Sequence, residues 1–288
     1  MWPRCCALPA SPDLAVQALG LIDTWPVDTV AAAVIGPTGS IDTAGDQQRT
    51  FRIASVAKTI TTWACLVAVE EGIVALDQPI GQPGCTLRHL LCHAGGYGFD
   101  GTEPIARPER NRIYSNTGIE MAAATVAAAA GIAFDRYLDE AVLQPLGMSS
   151  TSLRGSPAHR MSSTAADLTR FALEARAPTL ISAATAAEAT TANFSELNGV
   201  IPGVGRFAPC PWGLGFEVRG SKQPHWTGTM NSAATFGHFG GAGTFIWVDP
   251  AVGVACLALT DRPFDEWADE ALHMWPTFSD AVLAEATA

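Results

Sequence analysis

Two residues with the chemistry of a covalent catalyst, Ser55 and Lys58, lie three positions apart. Extended chain from 51 to 54 precedes them, and apolar residues at helical spacing follow from 59 to 71, which predicts a buried helix. A Ser-x-x-Lys spacing at a helix start places the hydroxyl and the amine on one face, one turn apart. There the free backbone N–H groups and the positive end of the helix dipole favour an alkoxide and disfavour a protonated amine. Ser55 is therefore the candidate nucleophile.

The alternative to this hypothesis is an ordinary helix start with an exposed lysine. The chain has only two lysines, Lys58 and Lys222, against fifteen arginines. A coincidental match to the short pattern therefore has odds of roughly one in ten. The pattern becomes persuasive only together with partners further along the chain.

Tyr114 and Asn116 form a second candidate pair just before an alanine-rich stretch, 119–130, which predicts a helix ended by Gly131. In a loop, this spacing can direct a phenol and a carboxamide into the same cleft. The phenol would then carry a proton, and the carboxamide would donate and accept hydrogen bonds. The alternative is that Asn116 caps the helix and Tyr114 belongs to the core.

Glycine-punctuated strands near the C-terminus contain His238, Gly240 and Gly241. The stretch 237–243 does not fit a dinucleotide-binding loop, because it precedes a strand instead of opening a helix. Its glycines indicate backbone that approaches a ligand closely. The sequence has no phosphate-binding P-loop, and it lacks the Gly-x-Ser-x-Gly elbow of the ordinary α/β-hydrolases.

Cys85, His89, Cys92 and His93 suggest a metal site, since the two histidines are one helical turn apart. However, Cys92 and His93 are consecutive and would point in different directions, and neither a second ligand pair nor a His-Glu-x-x-His arrangement is present. The sequence therefore favours a packed helix over 86–96, ended by its paired glycines, and predicts no metal.

These candidates have to be positioned by an α/β (α+β) fold. Strands near both ends of the chain, around a helical middle, predict an antiparallel sheet flanked by helices with an inserted all-helical lobe. The predicted sheet domain is discontinuous, 1–75 with 205–288, and the predicted helical domain is 76–204, with the cleft between them. The predicted helices are 16–22, 59–71, 86–96, 119–130, 134–143, 165–175, 183–192 and 265–273, and the predicted strands lie within 29–45, 212–218, 236–250 and 253–260.

Composition excludes several classes of function. With 48% apolar and 16% charged residues, the 288-residue chain should bury a substantial core. A net charge of −11 argues against a nucleic-acid or anionic-membrane surface. No membrane-length apolar stretch and no secretory signal is evident, and seven cysteines, with Cys5 next to Cys6, do not form a disulfide framework. We therefore expect a cytoplasmic protein.

Three stretches occur in a fixed order: Ser55-Val-Ala-Lys58, Tyr114-Ser-Asn116 and His238-Phe-Gly240. This order resembles the serine β-lactamase and penicillin-binding-protein superfamily, in particular its class C and family VIII carboxylesterase branch. The resemblance extends over about residues 28–262. Further matching segments are Leu90-Leu-Cys-His-Ala-Gly-Gly96, Pro145-Leu-Gly-Met148, Ser163-Thr-Ala-Ala-Asp-Leu168, Trp212-Gly-Leu-Gly-Phe216 and Val248-Asp-Pro250.

The resemblance implies that Ser55 attacks an ester or amide carbonyl and forms an acyl-enzyme. Lys58 and Tyr114 would move the proton, and which of them is the base stays open. Asn116 would hold Lys58 or the substrate. The backbone N–H groups of Ser55 and Gly241 would bind the oxyanion, each such donor being worth about 3 to 4 kcal/mol of barrier. No cofactor is implied.

The third motif departs from the Lys-Thr-Gly of many β-lactamases and transpeptidases. His238 replaces a permanent cation and Phe239 replaces a hydroxyl, and those two groups would ordinarily bind a substrate carboxylate. We therefore expect a small, uncharged carboxylic ester as substrate. A β-lactamase or D,D-peptidase, and a non-catalytic binding protein that retains the fold, are the alternatives. The acyl group, the alcohol and the oligomeric state are not predicted.

Overall fold

The computed structural model describes residues 16–288. The adjacent Cys5 and Cys6, and the N-terminal stretch assessed for a secretory signal, lie outside the described residues. The helices are α1 (Val16–Leu19), α2 (Ala57–Glu70), α3 (Leu87–Leu91), α4 (Asn116–Ala130), α5 (Phe134–Leu138), α6 (Ala165–Arg176), α7 (Ala183–Thr190) and α8 (Ala268–Ala286). The strands are β1 (Val30–Ile35), β2 (Ile41–Ala44), β3 (Thr50–Arg52), β4 (Ser152–Leu153), β5 (Met161–Thr164), β6 (Gly199–Ile201), β7 (Gly205–Phe207), β8 (Glu217–Val218), β9 (Phe236–Gly240), β10 (Thr244–Asp249) and β11 (Val254–Thr260).

The main sheet has six strands in the order β2-β1-β11-β10-β9-β8. Every neighbouring pair is antiparallel. Strand β1 of the β1–β2 hairpin pairs with β11, and Val30 lies opposite Thr260. The two ends of the chain therefore build one sheet, and the predicted fold class is confirmed.

Helices cover both faces of this sheet. Successive residues of a strand point to opposite faces, so Ala31 and Ala33 of β1 pack in the core that contains α2, α4 and α6. Ala32 and Val34 pack in the second core, with α1 and α8. Because both faces are buried, β10 and β11 are apolar along almost their whole length.

Helix α2 is the central helix, since the side chains from Ala57 to Ala68 are all buried. A helix that is apolar on every side belongs inside a protein. Trp63 lies at its middle, where the indole N–H donates a hydrogen bond to Glu174 at 3.1 Å. A short 3₁₀ turn, Ala54–Val56, precedes α2. Ser55 therefore lies in that turn, and Lys58 is the second residue of α2.

The segment 76–204 contains helices α3 to α7 and also the short strands β4, β5 and β6. Strand β3, just before Ser55, pairs with β5 in a separate sheet of order β3-β5-β4, with Phe51 opposite Ser163. The middle of the chain is thus hydrogen-bonded to the strand that leads into the candidate nucleophile. The two-domain boundaries remain a prediction.

Two helix ends differ from the sequence-based expectation. Helix α3 ends at Leu91, before the paired glycines, and His93 soon after it has a left-handed φ of 60°. Helix α8 extends to Ala286 instead of ending near 273. Its additional turns bury Trp275, Phe278 and Val282 in the second core, and this packing outweighs the proline at 276.

The alanine-rich helix α4 ends at Gly131, whose φ of 71° is the left-handed conformation of a helix C-terminus. Among residues 16–288, no single helix is long and apolar enough to cross a bilayer. Helix α4 and the segment Phe134–Leu143 reach that length and apolarity only when taken together across a bend of 86°.

Candidate active site

Ser55 is held by a tightly fixed backbone turn. Ala54, just before it, has a φ of 42°, a conformation that costs a non-glycine residue about 1–2 kcal/mol. Three hydrogen bonds fix the turn at Ile53: its N–H donates to Met161 O at 3.1 Å, and its carbonyl accepts from the Thr244 hydroxyl and the Val56 N–H, both at 3.1 Å. Strands from both sheets therefore set the position of Ser55.

Lys58 is completely buried and directed at Ser55. Its Nζ lies 3.1 Å from Ser55 Oγ, 2.7 Å from Asn116 Oδ1 and 3.0 Å from the carbonyl of Ala158. Burial lowers the pKa of Lys58 to about 7, although the nearby carboxylates of Glu120 and Asp100 oppose this shift. A substantial fraction of the amine is therefore neutral at neutral pH and can accept a proton.

Asn116 is the first residue of α4 and its side chain is buried. Its amide links two groups, because Oδ1 accepts from Lys58 and Nδ2 donates to Asp100 Oδ1 at 3.1 Å. The helix is capped by Ser115, whose hydroxyl accepts from the Gly118 N–H at 2.9 Å. The structure thus contradicts the alternative in which Asn116 is the cap, and it orients Asn116 toward Lys58.

Tyr114 lies beside Lys58, whose Nζ is 4.7 Å from the centre of the phenol ring. Its hydroxyl is 3.3 Å from His238 Nε2. Burial raises the pKa of Tyr114 above its ordinary value, and a hydrogen bond with Ser55 opposes the shift only in part. The phenol is therefore protonated at neutral pH, which makes it a proton donor and not a standing base.

His238 on β9 is a buried, neutral imidazole. Its Nδ1 donates to the carbonyl of Phe239 at 2.6 Å, so Nε2 carries the lone pair that accepts from the Tyr114 hydroxyl. Burial, followed by the nearby charge of Lys58, lowers the pKa of His238 to about 3. The residue in the place of the usual third-motif cation thus carries no charge at neutral pH.

Gly240 and Gly241 line the site differently. A Cβ at Gly240 would lie 2.4 Å from the Ile53 carbonyl oxygen and 3.2 Å from the Ser55 nitrogen, so only glycine lets β9 approach the nucleophile. A Cβ at Gly241 would meet nothing within 4 Å. The predicted close approach of backbone therefore applies to Gly240, whereas Gly241 lines the open cavity beside Ser55.

Ser55, Tyr114 and His238 open onto a cavity of about 390 Å³. Among residues 16–288, its only charged lining residues are acidic, Glu217 and Asp265, and no lysine or arginine lines it. The remaining lining is largely aromatic or aliphatic: Phe99, Ile201, Pro202, Gly203, Trp212, Phe239, Phe264 and Ala268. Phe239 thus lines this cavity, and its ring packs against that of Phe264 with 5.1 Å between the ring centres.

Glu217 belongs to a buried polar cluster that the sequence did not predict. Its carboxylate accepts from Lys222 at 3.1 Å, from His225 at 2.8 Å and from the Trp226 indole at 2.6 Å. Burial opposes ionisation, but Lys222 and His225 outweigh it and lower the pKa of Glu217 to about 2. The presence of Lys222, one of only two lysines in the chain, is the feature of the sequence that could have indicated this cluster.

The histidines considered as metal ligands have other partners. His89 accepts from the Thr86 N–H at 3.2 Å and approaches Glu109 Oε1 at 3.1 Å, which completes a capping box at the start of α3. His93 accepts from the Ser115 N–H at 3.2 Å. In the part of the chain that the structure describes, no three His, Cys, Asp or Glu side chains are grouped to hold a metal ion.

Comparisons with known proteins agree with this fold. A crystal structure of a beta-lactamase from Mycobacterium bovis is 51% identical, and the match covers 94% of this chain and 100% of that chain with a TM-score of 0.91. EstCE1, a hydrolase with promiscuous acyltransferase activity, has the same fold at 17% identity, with a TM-score of 0.75 over 93% of this chain and 98% of its own.

Among curated proteins, penicillin-binding protein 4* of Bacillus subtilis (strain 168) is 25% identical over 35% of this chain. The match covers 30% of that relative's length, so this chain corresponds to less than a third of it. A family model described as Beta-lactamase matches residues 46–275, the range that contains all three motifs. The chain therefore belongs to the beta-lactamase family.

Proposed function

We propose that this serine-hydrolase-type enzyme cleaves small, uncharged carboxylic esters through an acyl-enzyme on Ser55. The observation that carries the proposal is the chemistry of the cavity beside Ser55, whose lining beyond Ser55, Tyr114 and His238 is apolar apart from two acidic residues. A carboxylate on the substrate would find no cation there, because His238 is neutral. An uncharged acyl group would instead bury apolar surface against aromatic rings.

Acylation begins with Lys58 as the base. Its amine is 3.1 Å from Ser55 Oγ, and its pKa of about 7 allows it to take the hydroxyl proton at neutral pH. The Ser55 oxygen then attacks the ester carbonyl. The N–H groups of Ser55 and Gly241 bind the resulting oxyanion, and each donor is expected to lower the barrier by about 3 to 4 kcal/mol.

Tyr114 serves as the acid that releases the alcohol. Its hydroxyl is protonated and opens onto the same cavity as Ser55, so it can give its proton to the leaving alkoxide as the carbon–oxygen bond breaks. The proton that Lys58 took from Ser55 then restores Tyr114, and both groups return to their starting states. Asn116 keeps the Lys58 amine directed at Ser55 through its 2.7 Å contact. In the second half, water replaces the alcohol and the same groups move its proton.

The test compares hydrolysis of p-nitrophenyl butyrate by the wild type and by Ser55→Ala. We expect kcat to fall by about 10⁴-fold or more, because loss of a nucleophile leaves only binding and oxyanion stabilisation. Ser195→Ala is the matched control, since the hydroxyl of this exposed serine donates a hydrogen bond to its neighbour Glu196 and does not line the cavity. Equal turnover by wild type and Ser55→Ala would disprove the assignment of Ser55.

Hydrolysis of β-lactams is the second candidate, favoured by the 51% identity to a protein described as a beta-lactamase. Nitrocefin assayed beside the butyrate ester separates the two. Turnover of the ester without turnover of nitrocefin supports the first proposal, and the reverse supports the second. A binding protein that retains the fold would turn over neither.

A further inference from the structure

His93, which has no part in the steps above, contacts the chain on both sides of Tyr114. Its carbonyl accepts from the Ile113 N–H at 2.9 Å, and its ring Nδ1 accepts from the Ser115 N–H at 3.2 Å. Its imidazole ring packs against the Tyr114 phenol, with 4.7 Å between the ring centres. One residue thus fixes the backbone before and after Tyr114 as well as one face of its ring.

A second buried residue joins these segments. Arg112 donates hydrogen bonds to the carbonyls of Cys92 at 2.6 Å and Cys210 at 3.1 Å. Its remaining guanidinium nitrogen donates to the carbonyls of Asn193 and Phe194, at 2.7 and 2.9 Å. Arg112, two residues before Tyr114, is therefore hydrogen-bonded to Cys92, the residue before His93. His93 adds a direct contact with the Tyr114 ring.

His93 also has two features that cost stability. Its φ of 60° is unfavourable for a residue with a Cβ. Because Nδ1 accepts a hydrogen bond, the proton is on Nε2, and this buried N–H has no hydrogen-bond partner within residues 16–288. Strained backbone and unpaired buried polar groups of this kind cluster at functional sites.

We propose that His93 is a positioning residue that holds the Tyr114 hydroxyl where it protonates the leaving alkoxide. The proposal rests on the function proposed above. Tyr114 is fixed from one side by His93 and meets His238 through its hydroxyl. Loss of the His93 contacts allows the phenol to move, and a shift of about 1 Å is enough to cost catalysis about 100-fold.

The test uses two esters that differ in their need for a proton. The p-nitrophenolate of p-nitrophenyl butyrate leaves without protonation, whereas the ethoxide of ethyl butyrate must be protonated as it leaves. In His93→Phe, which retains an aromatic ring but lacks the acceptor, we expect kcat/KM to fall about 100-fold for ethyl butyrate and about 10-fold for p-nitrophenyl butyrate. The ratio of the two values therefore falls about tenfold.

His93→Asn is the rescue variant. Asparagine tolerates a positive φ, and its Oδ1 can accept from the Ser115 N–H as Nδ1 does. We expect its ratio of kcat/KM values to stay within about threefold of the wild type. His89→Asn is the matched control, because His89 stacks on Phe194 and does not contact Tyr114. An unchanged ratio in His93→Phe, with only a lower Tm, would overturn the proposal.

Failure of the ester proposal is distinguishable from failure of the His93 proposal. If the wild type hydrolyses neither ester, labelling of Ser55 by a fluorophosphonate probe replaces turnover, with fluoride as the leaving group. Because Tyr114 lines the same cavity as Ser55, we expect His93→Phe to label about tenfold more slowly and His93→Asn to label like the wild type. Equal labelling rates would contradict the role of His93, and no labelling of the wild type would contradict both proposals.

Discussion

At the scale of single residues, the site depends on one buried amine. Within the described part of the chain, Lys58 has no aspartate or glutamate in direct contact, since its nitrogen meets a hydroxyl, an amide oxygen and a carbonyl. Burial therefore dominates and lowers the pKa of Lys58 to about 7. Tyr114 is shifted in the opposite sense, because burial disfavours its phenolate. Two neighbouring groups whose pKa values are displaced in this way can act as base and acid at one pH.

The first prediction concerns the pH dependence of the reaction. The active form of Lys58 is the neutral amine, so kcat/KM for p-nitrophenyl butyrate should rise as pH increases and level off above its pKa of about 7. Tyr114 stays protonated through this range, so no decline is expected before strongly alkaline pH. A pH–rate profile tests this. A profile that rises only near the ordinary pKa of lysine would contradict the role of Lys58 as base.

The second prediction concerns substrate charge. His238→Lys would restore a cation beside the cavity, and a charge-assisted hydrogen bond to a substrate carboxylate is worth about 1.5–3 kcal/mol. The ratio of kcat/KM for p-nitrophenyl hemisuccinate to that for p-nitrophenyl butyrate should rise about tenfold or more. His238→Gln is the uncharged control and should leave the ratio near the wild-type value. No change in His238→Lys would mean that position 238 does not select substrate charge.

At the scale of elements, the nucleophile depends on how closely β9 approaches the 3₁₀ turn Ala54–Val56. At Gly240 the two backbones are so close that a Cβ would lie 3.2 Å from the Ser55 nitrogen. In addition, the Thr244 hydroxyl donates a hydrogen bond to the Ile53 carbonyl. A displacement of either β9 or the turn would therefore move Ser55. The geometry of the proposed oxyanion site is thus set by a strand that is about 185 residues distant in sequence.

The third prediction tests this approach. Gly240→Ala should lower kcat for p-nitrophenyl butyrate by about 100-fold or more, because backbone must move at the proposed oxyanion donors. Gly241→Ala is the matched comparison, since the same added methyl group meets open space and the N–H is retained. We expect a much smaller loss there. Equal losses in the two variants would show that crowding at Gly240 is not the cause.

Local sequence patterns predicted the site residues better than the boundaries of the elements. Ser55, Lys58, Tyr114, Asn116 and His238 come together as the order of their motifs indicated. The cap at Ser115 and the Glu217 cluster have partners within nine positions along the chain, and the sequence patterns missed them although these contacts are local. The left-handed His93 could not be predicted, because it depends on a contact with Ser115, 22 positions away. The end of α8 was wrong for the same reason: tertiary packing, and not local propensity, decides how far it extends.

At the scale of the whole molecule, the two ends of the chain form one core. Strand β1 pairs with β11, and α1 packs with α8 on the same face of the sheet. Trp25 contacts Trp267 and Phe278 across this layer, with ring centres 5.9 and 5.6 Å apart. The sheet that carries His238 and Gly240 is therefore stabilised by residues far from the cavity.

The fourth prediction concerns this C-terminal helix. A chain ending at residue 274 loses four fully buried side chains: Trp275, Phe278, Val282 and Leu283. Their burial is worth about 1.5–3 kcal/mol each and about 6–12 kcal/mol together. The whole stability of a domain is about 5–15 kcal/mol, so this chain should not fold cooperatively. A chain ending at residue 283 loses mainly exposed residues and should unfold near the wild-type Tm. Thermal melts followed by circular dichroism compare them, and a cooperative transition in the shorter chain would contradict this account.

The central claim is that Ser55 carries the acyl group of an uncharged ester. Rapid mixing with p-nitrophenyl butyrate, acid quenching and mass spectrometry of the digested protein test it directly. We predict one butyryl group on the peptide that contains Ser55, and none in Ser55→Ala. Turnover of the ester that persists in Ser55→Ala, with no butyryl group on this peptide in the wild type, would contradict the claim.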